Sequence, residues 1–424
     1  MPGGGWGKLK KIASAISLAE IPNLVKDLDK ASYEERERQA ALLDVVALQQ
    51  ASNPAALVSA GAIKVLVELV SSGSDGAQIH SASTLATIAA SKHEYQDMVV
   101  AANAIPPLIS LLKAGSNKAM TFAAAAIASL SEQHKHRGAL VKAGVIVPLV
   151  RLVRPDTTDD THVHAAEAIA NVSSENPPAQ EAFFTAGVVP LLLELLHGGD
   201  RTRDASAKAL AKLLSPVSNR DAPGARQANP AIQTEIAKDG GIPPLLALLS
   251  AMSTHAQIHA AECLSHLSRG NAETQVIIAK AGGIAPLLAM LSNKDEQAQA
   301  EAAAALGQLT RSNEDNQRSV ARMGGVPLLT TLLNANDLYV KEMAAFALAE
   351  TCRENRDNQT LAAELGTITA IVELPGAATG RLILNYIDRG EVLPSHRLPA
   401  FLRPGGESVR RWHSADGMRT VIER

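Results

Sequence analysis

A block of about 42 residues recurs along most of this chain, and it constrains the fold more than any other feature. Its marker is a small-residue turn followed by an apolar helix that opens with proline, as in Gly240-Gly241-Ile242-Pro243-Pro244. The turn residues are Gly61, Asn103, Gly144, Gly187, Gly240, Gly282, Gly324 and Gly366, at successive steps of 42, 41, 43, 53, 42, 42 and 42. We therefore expect an array of helical repeats, each of which buries its apolar face on its neighbours.

The pattern within one block predicts three helices. A short helix over residues 95–102 ends at Asn103, which like glycine can adopt the left-handed backbone conformation that stops a helix. Pro106 and Pro107 fit the first turn of the second helix, because the missing amide hydrogen of proline costs nothing there. A third and longer helix follows, from about residue 118 to residue 131.

Extending the period in both directions predicts eight repeats and a truncated ninth over residues 8–374. At the N-terminal end, residues 12–18 are expected to form the first helix of an additional repeat, and Ile21 begins its second helix. At the other end, residues 357–365 and 368–374 predict the first two helices of the ninth repeat. Its third helix is interrupted, since a Pro-Gly pair follows directly.

Three segments fall outside the repeat pattern. Residues 1–7 are rich in glycine and are expected to be a flexible N-terminus. The 53-residue step indicates an insertion near residues 216–230, whose proline, glycine and polar content predicts an exposed loop. Residues 375–424 form an Arg/Pro-rich C-terminal tail with eight arginines, no lysine and five acidic residues. A short capping helix is expected within it, over residues 381–387.

Composition narrows the class of protein. Hydrophobic residues make up 46% of the chain and aromatic residues 3%, so the core must consist mainly of Leu, Ile, Val and Ala. A net charge of −3 provides no general attraction to nucleic acid. Cys263 and Cys352 are too few for a disulfide framework, which favours a reducing compartment, cytoplasmic and/or nuclear. No apolar run is long enough to span a bilayer, and we expect a monomer.

A short helix, a glycine turn, a proline-started helix and a long alanine-rich helix at this period resemble the armadillo repeat of the β-catenin and importin-α families. The resemblance covers roughly residues 8–374, and the chain is similar to many-copy armadillo proteins such as fungal vacuolar anchors and plant U-box ligases. It implies an all-α, right-handed superhelical solenoid of three-helix repeats. A HEAT-like solenoid of helix pairs is the alternative, which the recurrent glycine before the second helix disfavours.

In armadillo folds the third helices line a concave groove, and the resemblance implies that one variable position of each third helix faces it. Residues four and seven positions earlier lie on the same face of the helix. For repeats 2 to 8 the predicted groove positions are His80, Ser83 and Thr87; Phe122, Ala125 and Ser129; His164, Glu167 and Asn171; Ala205, Lys208 and Lys212; His259, Glu262 and His266; Glu301, Ala304 and Gln308; and Met343, Phe346 and Glu350. Val45 takes the variable position of the first repeat.

From this set we predict that partner binding uses His164, Glu167, Asn171, Lys208, Lys212, His259, Glu262, His266 and Gln308. Importin-α grips basic peptides with an asparagine ladder and nearby tryptophans, whereas here only Asn171 matches and no groove position holds tryptophan. Classical nuclear-signal recognition is therefore not expected. The basic groove of β-catenin is matched only by Lys208 and Lys212, so we expect attraction for acidic groups only around the fifth repeat.

No motif in the chain indicates catalysis. There is no phosphate-binding loop after a strand, no Gly-x-Ser-x-Gly nucleophile motif and no ligase module. The group His259, Glu262, Cys263 and His266 superficially resembles a metal site, but the cysteine falls at the core position of its repeat, away from the two histidines. We therefore expect no enzyme, no cofactor and no bound metal.

Two further histidine pairs are interpreted as solvated side chains. His162 and His164 diverge on their helix, and His134 and His136 are placed in a loop. Neither pair shows the spacing of a ligand set.

The sequence therefore predicts a non-enzymatic scaffold that binds an extended segment of a partner protein in its concave groove. One alternative is that the groove positions are merely solvated and the partner binds elsewhere. Another is a membrane-targeting or transport adaptor that uses basic termini, with Lys8, Lys10 and Lys11 on an amphipathic helix. A third is the substrate-binding subunit of a ubiquitin ligase.

Overall fold

The computed structural model describes residues 10–216 and 229–367, which belong to two compact units, Met1–Gly224 and Ala225–Arg424. Every regular element in these described ranges is helical. The first unit holds repeats 1 to 5, and the second holds repeats 6 to 8 with the first helix of a ninth. The predicted fold class is confirmed, because each unit is a solenoid of three-helix repeats.

Each repeat uses its three helices in the same order. The first helices, in repeats 2 to 9, are Asn53–Ser59, His93–Ala101, His134–Lys142, Pro177–Thr185, Pro230–Lys238, Ala272–Lys280, Glu314–Arg322 and Arg356–Glu364. The second helices, in repeats 1 to 8, are Ile21–Lys30, Ala62–Ser72, Ile105–Ala114, Ile146–Leu152, Val188–Leu195, Ile242–Leu248, Ile284–Met290 and Gly325–Leu332. The third helices are Tyr33–Gln49, Asp75–Ser91, Asn117–Ser131, Asp159–Ser173, Asp200–Leu214, Thr254–Ser268, Glu296–Thr310 and Leu338–Cys352.

The turn between the first and second helix has the left-handed geometry that the sequence predicts. All eight predicted turn residues have positive φ, from 60° at Asn103 to 86° at Gly282. A side chain with a Cβ atom is strained in this conformation, which explains why glycine recurs there. Because these turns separate the first two helices of each repeat, the alternative of helix pairs does not hold.

A second left-handed turn, which the sequence analysis missed, joins the third helix of one repeat to the first helix of the next. Glu175, Gly270, Ser312 and Glu354 have φ between 52° and 66° at these junctions. An asparagine follows one residue later, and in repeats 7 to 9 its side chain caps the first helix; for example, Asn271 Oδ1 accepts a hydrogen bond of 3.0 Å from the amide of Thr274. Within the described residues, the junctions that follow repeats 4, 6, 7 and 8 therefore contain a second sharp chain reversal.

The third helices form the inner layer of each unit and pack directly on one another in successive repeats. Their contact faces consist largely of small side chains, such as the fully buried Ala123, Ala124 and Ala126. Where a larger side chain enters this layer, the residue that faces it is smaller. A Cβ atom on Gly307, for example, would collide with the ring of Phe346. Small residues thus allow close approach of the helices that carry the predicted groove positions.

A ladder of polar side chains ties the repeats together. It occupies the fourth residue of the first helix in repeats 3 to 9 and consists of Gln96, Arg137, Gln180, Gln233, Gln275, Gln317 and Gln359. We call these residues the capping ladder, because each donates hydrogen bonds to backbone carbonyls at the C-terminal end of a third helix.

Gln275 shows how one ladder residue serves two repeats. Its Nε2 atom lies 3.3 Å from the carbonyl oxygen of Ser268, at the end of the third helix of repeat 6. The same atom lies 2.9 Å from the oxygen of Gln308 and 3.2 Å from that of Arg311, at the end of the third helix of repeat 7. Arg137 bridges repeats 3 and 4 in the same way, to the oxygens of Ser131 and Ser174.

Some predicted boundaries need correction. The predicted continuous helix over residues 12–18 is wrong, because the helix ends at Ala13 and a short 3₁₀ helix, Leu18–Glu20, precedes the second helix. The predicted loop of 216–230 is too long at its C-terminal end, since Asn229 caps a helix that begins at Pro230. The predicted features within residues 1–9, 217–228 and 368–424 lie outside the described residues.

In the described ranges no single helix is long and apolar enough to cross a membrane. Two bent pairs of first and second helices, Asn53–Ser59 with Ala62–Ser72 and His93–Ala101 with Ile105–Ala114, meet the length and composition for such a span. Both pairs are parts of repeats and contribute fully buried residues, such as Leu66 and Leu108, to the core.

Two glycines of repeat 4 allow a direct test of the left-handed turn. Gly144 has φ of 83°, Gly138 lies inside the first helix, and an added Cβ meets no atom within 4 Å at either position. We expect Gly144→Ala to lower the free energy of unfolding by about 1–2 kcal/mol through backbone strain. Gly138→Ala should raise it by about 0.5–1 kcal/mol, because alanine favours a helix interior. Urea unfolding followed by circular dichroism measures both, and equal effects would contradict the assignment.

The capping ladder is tested at Gln275. Gln275→Met keeps the side-chain volume but removes the donor for two buried carbonyls and one partly buried carbonyl, so we expect a loss of about 2–3 kcal/mol in the free energy of unfolding. Gln133→Met is the matched control, because Gln133 Nε2 donates to the oxygen of His93 at a solvent-exposed site and to Asp97 Oδ1 at a partly buried one, and to no fully buried carbonyl among the described residues. That change should cost less than about 1 kcal/mol. A loss at Gln275 no larger than at Gln133 would show that the ladder does not stabilise the repeats.

Candidate functional site

The third helices of the first unit surround a concave groove of about 510 Å³. Its walls combine residues from all five repeats of the unit. They are Asp44, Leu48, Ser83, Ala86, Thr87, Ala90, Phe122, Ala125, Ala128, Ser129, Glu132, His164, Glu167, Asn171 and Lys208. We call this surface the first-unit groove.

Most groove positions that the sequence predicts for repeats 2 to 5 line this surface. They are Ser83, Thr87, Phe122, Ala125, Ser129, His164, Glu167, Asn171 and Lys208. Ala205 is instead buried between helices, and His80 lies behind the wall, with its Nδ1 atom 2.9 Å from Asp44 Oδ2. Lys212 is half-buried and is not part of the lining.

The first repeat contributes different residues from the one predicted. Val45, at the expected variable position, is buried, whereas Asp44 and Leu48 line the groove. Asp44 and Leu48 are four residues apart and therefore share a helix face. The third helix of repeat 1 thus turns a different face toward the groove from the face that the 42-residue period predicts.

The floor of the first-unit groove is apolar and built from small side chains. Ala86, Ala90, Ala125 and Ala128 lie on two neighbouring third helices, and the half-buried ring of Phe122 stands beside them. At the edge, Leu48 exposes 65% of its surface. A floor of methyl groups leaves room for the side chains of a bound segment and offers them apolar contact.

Three carboxylates stand on the walls above this floor. Glu132 Oε2 accepts a hydrogen bond of 2.9 Å from the amide of Gln96, and Glu167 Oε2 lies 3.2 Å from His164 Nδ1. Asp44 is the most enclosed, with its side chain only 5% exposed. Its Oδ2 atom lies beside His80, but its Oδ1 atom is buried and has no hydrogen-bond partner among the described residues.

Asn171, which we expected to bond a peptide backbone, already makes one bond within the protein. Its Nδ2 atom donates to the carbonyl oxygen of Ala128 on the neighbouring third helix, at 3.0 Å. A primary amide carries two N–H groups and one acceptor oxygen, so this bond uses one of them and fixes the orientation of the side chain. Asn171 therefore lies on the groove wall as an oriented amide.

The remaining predicted site residues lie in the second unit. Glu262 Oε2 lies 3.8 Å from His259 Nδ1, and Glu262 Oε1 lies 3.8 Å from His266 Nε2, so the three side chains form one cluster on the third helix of repeat 6. Each is about 15% exposed or less. The next two repeats present less polar surface: Gln308 is only 3% exposed, and Glu350 is buried in an ion pair with Arg353.

The chemistry of the cluster around Glu262 does not extend to the neighbouring thiol. Cys263 is fully buried, and burial raises the pKa of its thiol far above the usual range. A protonated thiol is neither a nucleophile nor a metal ligand. Within residues 10–216 and 229–367, no three His, Cys, Asp or Glu side chains are arranged to hold a metal ion.

Two histidines that we interpreted as solvated are in fact buried. His162 Nε2 lies 2.8 Å from the carbonyl oxygen of Arg154, at the end of the second helix of repeat 4. His136 lies in the first helix of that repeat rather than in a loop, with its Nε2 atom 2.8 Å from Asp97 Oδ1. Both side chains satisfy polar groups between helices, which a sequence pattern does not reveal.

Comparison with known proteins agrees with this geometry. The family model described as Armadillo/beta-catenin-like repeat matches residues 229–269 and 271–311, which are the three helices of repeat 6 and of repeat 7. None of the curated proteins matches the chain at a significant level.

Solved structures extend the similarity. An engineered protein from the Northeast Structural Genomics Consortium has a TM-score of 0.72 and 28% identity, over 86% of this chain and 88% of that chain. A designed armadillo repeat protein has a TM-score of 0.51 and 25% identity, over 58% of this chain and 100% of that chain. Repeats 6 and 7 therefore match the armadillo repeat, and the fold of the chain is that of an armadillo-repeat solenoid.

The burial of both cysteines predicts how the thiols react. Cys263 and Cys352 are the two cysteines of the chain, neither forms a disulfide in the part of the chain that the structure describes, and neither exposes more than 2% of its surface. We expect neither thiol to react with dithiobis(nitrobenzoate) at pH 8 in the folded chain, and both to react after unfolding in guanidinium chloride. Absorbance at the thiolate product band measures the reaction. Rapid labelling of the folded chain would contradict the assigned packing.

Proposed function

We propose that this chain is a non-enzymatic scaffold that holds an extended segment of a partner protein in the first-unit groove. The observation that carries the proposal is the groove itself, a concave surface with an apolar floor of alanines and polar side chains on its walls. Armadillo-repeat solenoids are commonly protein-binding scaffolds, and concave solenoid surfaces suit extended segments.

The arrangement of the groove favours an extended segment over a folded domain. Neighbouring third helices in a packed layer lie about 8–10 Å apart, and an extended chain advances about 3.3 Å per residue, so roughly three residues of a partner cross each repeat. Asn171 provides an oriented amide that can bond to a backbone between side-chain positions. Small floor residues such as Ala125 leave space for the partner side chains that point inward.

The proposal also covers the cellular location, the oligomeric state and the class of partner. Two buried cysteines that form no disulfide within the described residues fit a reducing compartment, so we propose that the scaffold acts in the cytoplasm and/or the nucleus, as a monomer on protein partners. The membrane-adaptor hypothesis stays a prediction: Lys10, Lys11 and Ile12 are exposed, and Lys8 lies outside the described residues. The ligase-subunit hypothesis likewise stays a prediction.

The proposal is tested by filling the groove without changing its charge. Ala125 is half-exposed on the groove floor, and Ala139 is exposed on the first helix of repeat 4, outside the groove. We expect Ala125→Tyr to weaken binding of peptides selected on the full-length chain by about tenfold or more, since a ring in the floor excludes their side chains. Ala139→Tyr, the matched control, should leave binding unchanged.

Selection would use a phage library of disordered protein segments, and affinities would be measured by fluorescence anisotropy. Circular dichroism establishes first that both variants keep the helical content of the parent chain. If the selected peptides bind the Ala125→Tyr variant as tightly as the parent chain, the partner does not bind in this groove and the proposal is overturned.

A further inference from the structure

We infer that the segment held in the first-unit groove is charge-segregated: it presents basic side chains to repeats 1 to 4 and an acidic side chain to repeat 5. The inference rests on the proposed function and specifies the chemistry of the partner. It follows from the order of charges along the groove, where Asp44, Glu132 and Glu167 precede Lys208.

The three carboxylates carry charge that the protein itself does not neutralise with a strong cation. In the part of the chain that the structure describes, none of them pairs with lysine or arginine. Glu132 receives its hydrogen bond from the uncharged amide of Gln96. Asp44 and Glu167 each face the imidazole ring of a histidine rather than an ammonium or guanidinium group. A cation from outside would therefore meet a negative wall.

Asp44 gives the most specific sign of a missing partner. Its Oδ1 atom is buried and accepts no hydrogen bond from residues 10–216 or 229–367, although a buried carboxylate oxygen without a donor is costly. The residue lines the groove, and Leu48, one helical turn further on, is largely exposed beside it. Among the groups that a peptide provides, an ammonium or guanidinium group is the strongest donor to such a carboxylate.

The floor suits the stems of such side chains. Lysine and arginine carry three or four methylene groups below the charge, and these stems pack on apolar surface while the charged head reaches a polar wall. Ala86, Ala90 and Ala125 provide that surface between the carboxylates, and the ring of Phe122 adds a face that attracts cations. The same floor would accept apolar residues at the intervening positions.

The sign of the groove charge reverses at repeat 5. Lys208 lies in the lining on the third helix that follows the one carrying Glu167. At a helix spacing of about 8–10 Å, an extended segment has about three residues between its contacts with Glu167 and with Lys208. A uniformly basic segment would place a positive charge against Lys208, so we expect an acidic residue there.

Defined peptide probes test this pattern on the full-length chain. Four fluorescein-labelled peptides of equal length share their apolar residues and differ in charge: basic with one terminal acidic residue, uniformly basic, uniformly acidic, and neutral with glutamine at every charged position. We expect the first probe to bind about tenfold or more tightly than the neutral one at about 50 mM NaCl, with the difference shrinking at about 300 mM NaCl.

Substitutions then assign the charges to the groove. Glu167→Gln and Glu132→Gln should each weaken binding of the charge-segregated and uniformly basic probes by about threefold or more, and leave the neutral probe unchanged. Asp44→Asn should cost at least as much, and the two glutamate variants keep the test valid if Asp44→Asn unfolds. Lys208→Glu should reverse the order, so that the uniformly basic probe binds more tightly than the charge-segregated one. Glu181→Gln, on the first helix of repeat 5, is the control outside the groove.

The outcomes separate this inference from the proposed function. A neutral probe that binds as tightly as the charge-segregated one, and is lost in Ala125→Tyr, would overturn the charge assignment while the groove keeps its partner. Preference for the acidic probe would overturn it as well. Charge-selective binding that survives Ala125→Tyr would instead place the binding surface elsewhere and overturn both.

Discussion

The architecture depends on how the protein satisfies the carbonyl groups at the ends of its third helices. Each helix leaves its last four carbonyls without an internal partner, and here these ends are enclosed between repeats, where water cannot serve all of them. In repeats 3 to 9 the capping ladder supplies the donors from the fourth residue of the first helix. Since Gln275 reaches two successive third helices at once, the hydrogen bonds that cap a helix also fix its neighbour.

This coupling explains why the groove has a defined surface. The alanine faces of the third helices permit close packing but do not by themselves set which residues point inward, because small side chains allow many rotations of one helix on another. The ladder removes that freedom at the C-terminal ends of the helices. The groove positions on repeats 2 to 5 are therefore presented as one ordered set, with Asn171 bonded across to Ala128 as a further tie.

The sequence was sufficient for those parts of the fold that depend on local backbone chemistry. The left-handed turns at residues such as Gly144 follow from the steric demand for glycine, and the groove positions on repeats 2 to 4 follow from the helical period. It was insufficient where packing decides. Asp44 rather than Val45 lines the groove, and Gln308 is enclosed in a layer whose spacing depends on how Gly307 accepts Phe346. The ladder was missed because an arginine replaces glutamine at Arg137, although the period would have revealed it.

Because each shared ladder residue bonds to two repeats, the ladder also determines which segment can be inserted or deleted as a unit. A cut at the glycine turn, where the sequence period is easiest to see, separates a first helix from the second and third helices of its own repeat, yet the side chain of Gln317 bonds to the third helices on both sides of it. When one repeat is deleted or inserted, the carbonyls at the ends of the third helices keep their hydrogen bonds only if the new junction places a ladder residue at the fourth position of the following first helix. Duplication and recombination among these repeats are thus restricted to exchanges of whole periods, and the fourth residue of the first helix is the position at which foreign blocks must be compatible.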